Sequence, residues 1–256
     1  MRDPIFYFMA EIRLKDIPTR APKDWDKLQT KDKTEAIKTE LQEMQNLLFA
    51  ESKHSILIVI QGMDGSGKDG VIRNVFGCMN PQGVTVKSYK APTAEELSHD
   101  FLWRIHHYAP AKGMIQVFNR SHYEDILVTR VHKWCDDQTA KQRMEAINDF
   151  EKLLQKHNRT HILKFYLHVS PEEQRSRLLE RIKDPAKMWK YNENDLEEAK
   201  LWDVYMSVYE DCFNNCQEPP WTIVPSDQNW YKEFIIADAL CNLLKDLDMQ
   251  FPGLKK

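Results

Sequence analysis

Glycines are concentrated in one short segment of this chain. Four of its eight glycines lie between residues 62 and 70, directly after the apolar run 56–60 and on both sides of Lys68. The pattern Gly-x-x-x-x-Gly-Lys between a strand and a helix is typical of a P-loop. Glycine lets backbone N–H groups turn toward a phosphate, the helix N-terminus adds its dipole, and the lysine adds a cation. The sequence therefore predicts a phosphate site formed by Gly62, Gly65, Gly67 and Lys68.

Two residues of this loop differ from the usual pattern. Asp69 stands where Ser or Thr normally follows the lysine and binds Mg²⁺ through its hydroxyl. A carboxylate also lies inside the loop, at Asp64. Because Mg²⁺ prefers oxygen ligands, we predict that Asp64 takes over part of the metal binding. The alternative is that Asp64 only hydrogen-bonds its own turn.

The composition limits the possible partners. The 256 residues are 42% hydrophobic, enough to bury one core, and the net charge of −3 argues against a general nucleic-acid or membrane binder. No apolar run approaches the roughly 20 residues of a membrane span, and the apolar residues 4–10 are too few for a signal peptide. The five cysteines indicate neither a zinc site nor a disulfide framework. We therefore expect a cytoplasmic protein that binds neither nucleic acid nor membranes.

Strand and helix patterns alternate along most of the chain. Residues 1–29 predict an irregular arm, and an apolar stripe at helical spacing predicts a helix ending near Glu51. Five strands are predicted, at residues 56–60, 84–90, 114–118, 162–169 and 221–224. Helices are predicted at residues 68–79, 93–108, 122–133, 140–157 and 231–247. Helices between strands imply parallel pairing, so the fold class is an α/β sandwich that binds its ligand along one sheet edge.

An insert lies between the fourth and fifth strands, at about residues 171–200. Ser170 and Pro171 are typical of a helix start, and Arg177 and Arg181 share one face of that helix. Nearby glutamates can pair with these arginines, so a solvated charged face is the alternative. Next to a P-loop, a cationic helix favours a lid that closes over phosphates.

A second group of polar residues follows the third strand. Asn119 lies just beyond that strand, and Ser121, Glu124 and Asp125 would face one cleft if a helix follows. Arg120 is suited to binding a pair of phosphate oxygens. The alternative for the two acids is an interaction with the helix dipole only. No general base stands out, which fits an acceptor that is itself a phosphate and already ionised at neutral pH.

Three motifs in this order resemble the polyphosphate kinase 2 family. They are Gly62-Met-Asp64-Gly-Ser-Gly67-Lys68-Asp69-Gly70, Asn119-Arg120-Ser-His-Tyr-Glu124-Asp125 and Gln174-x-x-Arg177-x-x-x-Arg181-x-x-Asp184-Pro185-x-x-x-Trp189-Lys190. The resemblance runs from about residue 25 to residue 250. It implies a thymidylate-kinase-like P-loop fold, a three-layer sandwich in one domain. That domain would comprise an arm and first helix (1–51), a core (55–169 and 221–250) and the lid.

The resemblance also implies an activity and residue roles. The enzyme would move phosphate between inorganic polyphosphate and nucleotides, with Mg²⁺ or Mn²⁺ as cofactor. Lys68 and the P-loop amides would hold the transferred phosphate, and Arg120 would clamp the terminal phosphate of the nucleotide. Asp64 and Asp125 would organise the metal ion. Further phosphate and nucleotide contacts are expected from Asp69, Asn119 and Glu124, and polyphosphate contacts from Arg177, Arg181 and Lys190. Sequence position alone adds Arg73, Lys87 and Lys90 to the polyphosphate track.

One motif bears on the acceptor. Relatives that use nucleoside diphosphates have Asp-Arg-Ser-Trp-Tyr-Asn after the third strand, whereas residues 119–125 resemble the class that also accepts monophosphates. This predicts AMP and ADP, or GMP and GDP, as acceptors. An ATP-dependent P-loop kinase of a small metabolite or nucleotide is the alternative, and a nucleotide-sensing module is a third possibility. The resemblance alone favours a homo-oligomer, a dimer or a tetramer.

Overall fold

The computed structural model describes residues 11–254 of the chain. The predicted irregular arm therefore lies outside the described residues at positions 1–10. From residue 11 to the first helix, α1 (Lys27–Glu51), the chain is irregular apart from a 3-10 turn at Leu14–Asp16. Ile12, Leu14 and Ile17 of this segment are buried. The described part of the arm is therefore packed against the rest of the protein.

A sheet of five parallel strands forms the centre of the described residues. In chain order the strands are β1 (Ser55–Gln61), β2 (Val84–Ser88), β3 (Ile115–Asn119), β4 (Thr160–His168) and β5 (Trp221–Pro225). Their order across the sheet is β2-β3-β1-β4-β5, and every neighbouring pair is parallel. The predicted parallel sheet is confirmed. All the carboxyl ends lie on one edge, where parallel sheets of this kind bind ligands.

Helices cover both faces of the sheet. After α1 they are α2 (Lys68–Val75), α3 (Ala94–Leu97), α4 (Trp103–His106), α5 (Val128–Val131), α6 (Asp137–Asn158), α7 (Pro171–Lys183), α8 (Asn194–Ala199), α9 (Trp202–Asn215) and α10 (Asn229–Asp246). Short 3-10 turns lie at Phe76–Cys78, His122–Ile126 and Met188–Lys190. The sequence patterns do not predict α9. Among the described residues, none of the helices combines the length and apolarity that a membrane span requires.

The central strand β1 is buried on both faces. Leu57 and Val59 belong to a core that includes residues of α6 and α9, whereas Ile56, Ile58 and Ile60 belong to a core with residues of α1, α2 and α10. A continuous apolar run without polar alternation is what such a strand requires. The molecule is therefore the three-layer α/β sandwich that the sequence predicts.

The predicted continuous helix over residues 93–108 is wrong in its middle part. The capping box at Thr93 is present, but α3 and α4 are separate helices. Ser98 donates its hydroxyl to the Glu95 carbonyl, and Asp100 accepts the N–H of Leu102. Because these side chains bond backbone groups locally, they compete with a continuing helix.

Candidate active site

The P-loop connects β1 to α2 at the carboxyl edge of the sheet. Gly65 and Gly67 have φ angles of 82° and 96°, a left-handed region that residues other than glycine rarely adopt. Helix α2 begins directly after Gly67, so its N-terminus and dipole face the loop. The loop borders a cleft of about 960 Å³. The predicted strand–loop–helix unit is therefore present and shaped to receive an anion.

The cleft is strongly cationic. Eight lysine and arginine side chains line it, against three carboxylates. The cations are Lys68, Arg73, Lys90, Arg120, Arg177, Arg181, Lys187 and Lys190, and the acids are Asp64, Asp69 and Glu180. Since the chain as a whole has a net charge of −3, this excess is local. It favours a polyanionic ligand.

Most of the residues predicted for the site lie together. Besides the charged residues above, Gly65, Gly67 and Asn119 line the cleft. Gly62 and Glu124 line a smaller adjacent cavity of about 30 Å³, which shares Asp64 and Arg120 with the cleft.

Lys87 does not line the cleft. Its ammonium lies 3.9 Å from the centre of the Tyr108 ring, a cation–π contact on the edge strand β2. Its predicted place on a polyphosphate track rested on sequence position alone. Lys90 and Arg73, which were added on the same ground, do line the cleft, and their contact with polyphosphate stays a prediction.

Arg120 joins the P-loop to the end of β3. Its guanidinium donates to Asp64 Oδ1 at 2.6 Å and to Glu124 Oε2 at 3.4 Å. Its φ angle is 61°, an uncommon backbone conformation that is often found at functional sites. Burial alone would raise the pKa of Asp64, but the charges of Lys68 and Arg120 outweigh it and hold that pKa below its ordinary value. Asp64 is therefore ionised at neutral pH.

Asp125 faces away from this group. It lies 3.5 Å from Arg104 and lines neither cavity. Residues His122–Ile126 form a 3-10 turn, in which neighbouring acids project in different directions. Burial raises the pKa of Asp125, although the charge of Arg104 opposes this. The expectation that Glu124 and Asp125 face one cleft is therefore wrong, and a metal role for Asp125 stays a prediction.

Lys68 is folded back on its own loop. Its ammonium donates to the Gly62 carbonyl at 2.6 Å and to the Met63 carbonyl at 3.2 Å, and it lies 3.9 Å from Asp64. Burial lowers its pKa to about 8. Most of the protein therefore carries the ammonium form at neutral pH, in a position where a phosphate can compete for its N–H groups.

The insert between β4 and β5 contacts the P-loop and the start of α2 at several places. Gln174 of α7 donates its amide to the Asp64 carbonyl at 2.9 Å. Lys190 forms an ion pair of 2.6 Å with Asp69, whose other oxygen accepts from Asn119. The unusual carboxylate after the P-loop lysine therefore links the insert to the end of β3. Arg181, in contrast, pairs within the insert, with Asp195.

Arg177 is saturated by acceptors from the protein itself. Its five N–H groups are donated to the Glu173 carboxylate and to the carbonyls of Gly65, Ser66, Ser226 and Asp227. Its predicted contact with polyphosphate therefore requires that at least one of these bonds be released.

A buried polar network lies next to the Arg120 segment. Glu151 of α6 accepts hydrogen bonds from Tyr123 and from Lys164 of β4, at 2.9 and 2.8 Å, and lies 3.1 Å from His122 Nε2. All four side chains are buried. His122 and Tyr123 follow Arg120 closely in the chain, so the network lies directly beside the segment that carries it.

Known proteins match almost the whole chain. The family model described as polyphosphate kinase 2 (PPK2) matches residues 24–252. This chain belongs to the polyphosphate kinase 2 family. The family resemblance that the three motifs predict is confirmed.

Relatives of this polyphosphate kinase 2 protein agree in sequence and in structure. An AMP/ADP-polyphosphate phosphotransferase from Meiothermus ruber is 45% identical over 214 residues, covering 83% of this chain and 80% of that protein. An ADP-polyphosphate phosphotransferase from Rhodopseudomonas palustris is 41% identical over 226 residues, covering 83% and 78%. The crystal structure of polyphosphate kinase 2 from Arthrobacter aurescens TC1 matches with a TM-score of 0.93 at 38% identity, covering 97% and 90%. The predicted P-loop kinase fold is thereby confirmed.

One buried lysine of this polyphosphate kinase 2 protein, Lys232, is not among the residues that the sequence predicts for the site. Lys232 lies on the face of α10 that also carries Ile235, Ile236 and Ala239, all of which are buried. A lysine in an apolar helical stripe indicates a buried polar partner, because an ammonium is costly to bury alone. The position of Lys232 in this stripe could therefore have predicted a buried polar contact, but the sequence does not show which group the contact is made with.

Proposed function

We propose that this protein transfers a phosphoryl group from inorganic polyphosphate to AMP and ADP, forming ADP and ATP. The observation that carries the proposal is the cationic cleft around the P-loop, in a chain whose relatives include an AMP/ADP-polyphosphate phosphotransferase. We extend the proposal to GMP and GDP as acceptors and to a dimeric or tetrameric assembly, which rest on family resemblance. The proposed organisation is one domain, with the insert at about residues 171–200 acting as a lid.

The cleft has the charges that transfer between two phosphates requires. The acceptor oxygen is already ionised at neutral pH, so it needs alignment and charge neutralisation more than a general base. Lys68 and the P-loop N–H groups would hold the transferred group, and Arg120 would bind the terminal phosphate of the acceptor. The lid would exclude water and so limit hydrolysis.

The carboxylates of the cleft fit a divalent cation, Mg²⁺ or Mn²⁺. Asp64 lines the cleft and is ionised, and Glu124 lies next to it through their shared partner Arg120. Within the described residues no group of three or more potential ligands is found that could hold a metal ion. Mg²⁺ is commonly bound by one or two carboxylates together with substrate phosphates and water, and Asp64 and Glu124 would be the carboxylates here. Such an ion would neutralise charge on the transferred phosphoryl group.

Phosphate transfer from long-chain polyphosphate to AMP, ADP, GMP and GDP, with and without Mg²⁺, tests the proposal. We expect ADP from AMP, ATP from ADP, and no product in the presence of EDTA. ATP as the donor, offered with small metabolites, tests the alternative kinase. Phosphorylation of ADP but not of AMP would contradict the assignment to the class that accepts both AMP and ADP. Nucleotide binding without any turnover would contradict the proposal that the protein is an enzyme and would favour the nucleotide-sensing module.

We expect Lys190→Ala to raise the KM for polyphosphate about fivefold, because an exposed ion contact contributes about 1 kcal/mol. Lys190 is only partly buried at the rim of the cleft. Since salt screens exposed charges, the effect should shrink as ionic strength rises. Lys183→Ala is the control, an exposed lid lysine that does not line the cleft. Equal shifts in both variants would show that only the total charge of the lid matters.

A further inference from the structure

Lys232 of α10 is a buried lysine that does not line the cleft. Its side chain is 1% exposed, and its ammonium donates to the Ser66 carbonyl of the P-loop at 3.0 Å. Among the described residues, no carboxylate lies close enough to form an ion pair with it. Burial of an ammonium without an ion pair is costly. Its position against the loop therefore calls for an explanation.

A second cation holds the same carbonyl. Arg177 of α7 donates to the Ser66 carbonyl at 3.1 Å and to the neighbouring Gly65 carbonyl at 3.1 Å. A carbonyl oxygen has two lone pairs and can accept both donors. The lid helix and the last helix thus hold one peptide group of the P-loop between them.

The geometry of the Ser66–Gly67 peptide links the direction of the Ser66 carbonyl to the direction of the Gly67 N–H. The bond between Ser66 and Gly67 is trans, so its C=O and its N–H point in opposite directions. With the C=O drawn toward the two cations, the N–H of Gly67 is directed to the other side, and Gly67 lines the cleft. We infer that Lys232 is a positioning residue, which together with Arg177 fixes this peptide so that the Gly67 N–H is presented to a bound phosphate. The inference rests on the proposed function and deepens it.

Gly67 itself shows how closely Lys232 approaches the loop. A Cβ atom at this position would collide with the Lys232 ammonium, whereas a Cβ atom at Gly70 would meet open space. The φ angle of 96° at Gly67 also favours glycine. The glycine therefore provides both the backbone turn and the room in which Lys232 reaches the Ser66 carbonyl.

The charge of Lys232 changes close to neutral pH. Burial and the charge of Arg177 lower its pKa to about 7, while Glu233, Glu173 and Asp227 act in the opposite direction. The ammonium form dominates below this pH. As the pH rises through it, the ammonium loses its charge and its attraction for the carbonyl weakens. The position of the Gly67 N–H becomes less fixed, so phosphate binding weakens.

Lys232→Met tests the inference, because it removes the charge and the donor while keeping an unbranched side chain. We expect the KM for polyphosphate to rise about tenfold, which corresponds to the loss of one charge-assisted hydrogen bond between the Gly67 N–H and phosphate. The value of kcat should change less, since the Gly67 N–H binds phosphate in both the ground state and the transition state. Lys232→Arg should recover part of the affinity. The matched control is Lys245→Met on the same helix, where the lysine is exposed and pairs with Glu40.

The ratio of variant KM to wild-type KM across pH is the second readout. Because only the wild type loses a charge, the ratio for Lys232→Met should fall between about pH 6 and pH 8. A packing role would give a constant ratio, and the titration of Lys68 cancels because both proteins contain it. If Lys232→Met fails to fold, the Lys232→Arg ratio carries the same test, since arginine does not titrate there.

Two outcomes would overturn the positioning role. One is an unchanged KM in folded Lys232→Met, and the other is a KM ratio that stays constant across pH. Failure of the proposed function looks different, because the wild type would then show no turnover of polyphosphate. Thermal unfolding of each variant without ligand separates loss of the fold from loss of phosphate binding.

Discussion

Lys68→Ala should lower kcat/KM for polyphosphate-dependent transfer by about 10³-fold or more, a loss of about 4 kcal/mol of transition-state stabilisation. The ammonium is buried at the start of α2, 3.9 Å from Asp64, in the cationic cleft. A fixed cation in such a place acts on charge that develops during the reaction, with little reorganisation. Steady-state rates with long-chain polyphosphate and ADP measure the effect.

The control for Lys68→Ala is Lys53→Ala. Lys53 is an exposed lysine that pairs with Glu51 beside the amino end of β1, at the opposite edge of the sheet. Because the pKa of Lys68 is lowered to about 8, wild-type kcat/KM should also decline as the pH rises above this value and the ammonium is lost. Near wild-type turnover by folded Lys68→Ala would contradict the proposed role of the P-loop.

The P-loop and the sheet were predictable because their signals are local. Glycines, a lysine and a preceding apolar run specify the loop within about a dozen residues. The short segment after β3 was less predictable. It contains the right residue types, but a 3-10 turn directs Glu124 toward Arg120 and Asp125 toward Arg104. Which acid turns toward Arg120 and the P-loop depends on backbone geometry that residue spacing does not determine.

The contacts of Arg177 and Lys232 show a second limit. Both were visible in the sequence as cations on helices. Their shared acceptor is a backbone carbonyl, at Ser66, 111 and 166 residues away in the chain. Because every residue has a carbonyl, such an acceptor leaves no trace in residue types. From the sequence, a cation on a helix near a P-loop that binds phosphate therefore looks the same as one that only positions the loop.

Lys164→Met should lower the free energy of unfolding by about 3–5 kcal/mol, the usual cost of breaking a buried ion pair from one side. Lys164 and Glu151 are both fully buried and lie 2.8 Å apart. Burial favours the neutral carboxyl, but the charge of Lys164 and the hydrogen bond with His122 outweigh it and lower the pKa of Glu151. Without Lys164 the carboxylate would be left unpaired in the core. Urea unfolding of the variant and the wild type measures the difference.

The dependence of this loss on pH separates the ion pair from simple packing. In the wild type the lowered pKa of Glu151 contributes stability above the ordinary glutamate range, and that stability is lost as the pH falls. In Lys164→Met, burial raises the pKa of Glu151, so the carboxyl takes up a proton more readily. The deficit relative to the wild type should therefore shrink as the pH falls toward about 5. A deficit in the free energy of unfolding that is constant with pH would show that changed packing and lost hydrogen bonds are responsible.

The double variant Lys164→Met/Glu151→Gln gives the sharper test of the network, because it removes the unpaired charge. It should recover much of the stability lost in Lys164→Met, as replacement of a whole buried pair costs far less than removal of one partner. Lys152→Met on the exposed side of α6 is the matched control. If the network also holds the Arg120 segment, the KM for AMP should be higher in the folded double variant than in the wild type. An unchanged KM for AMP would confine the network to stability and leave the position of Arg120 to Asp64 and Glu124.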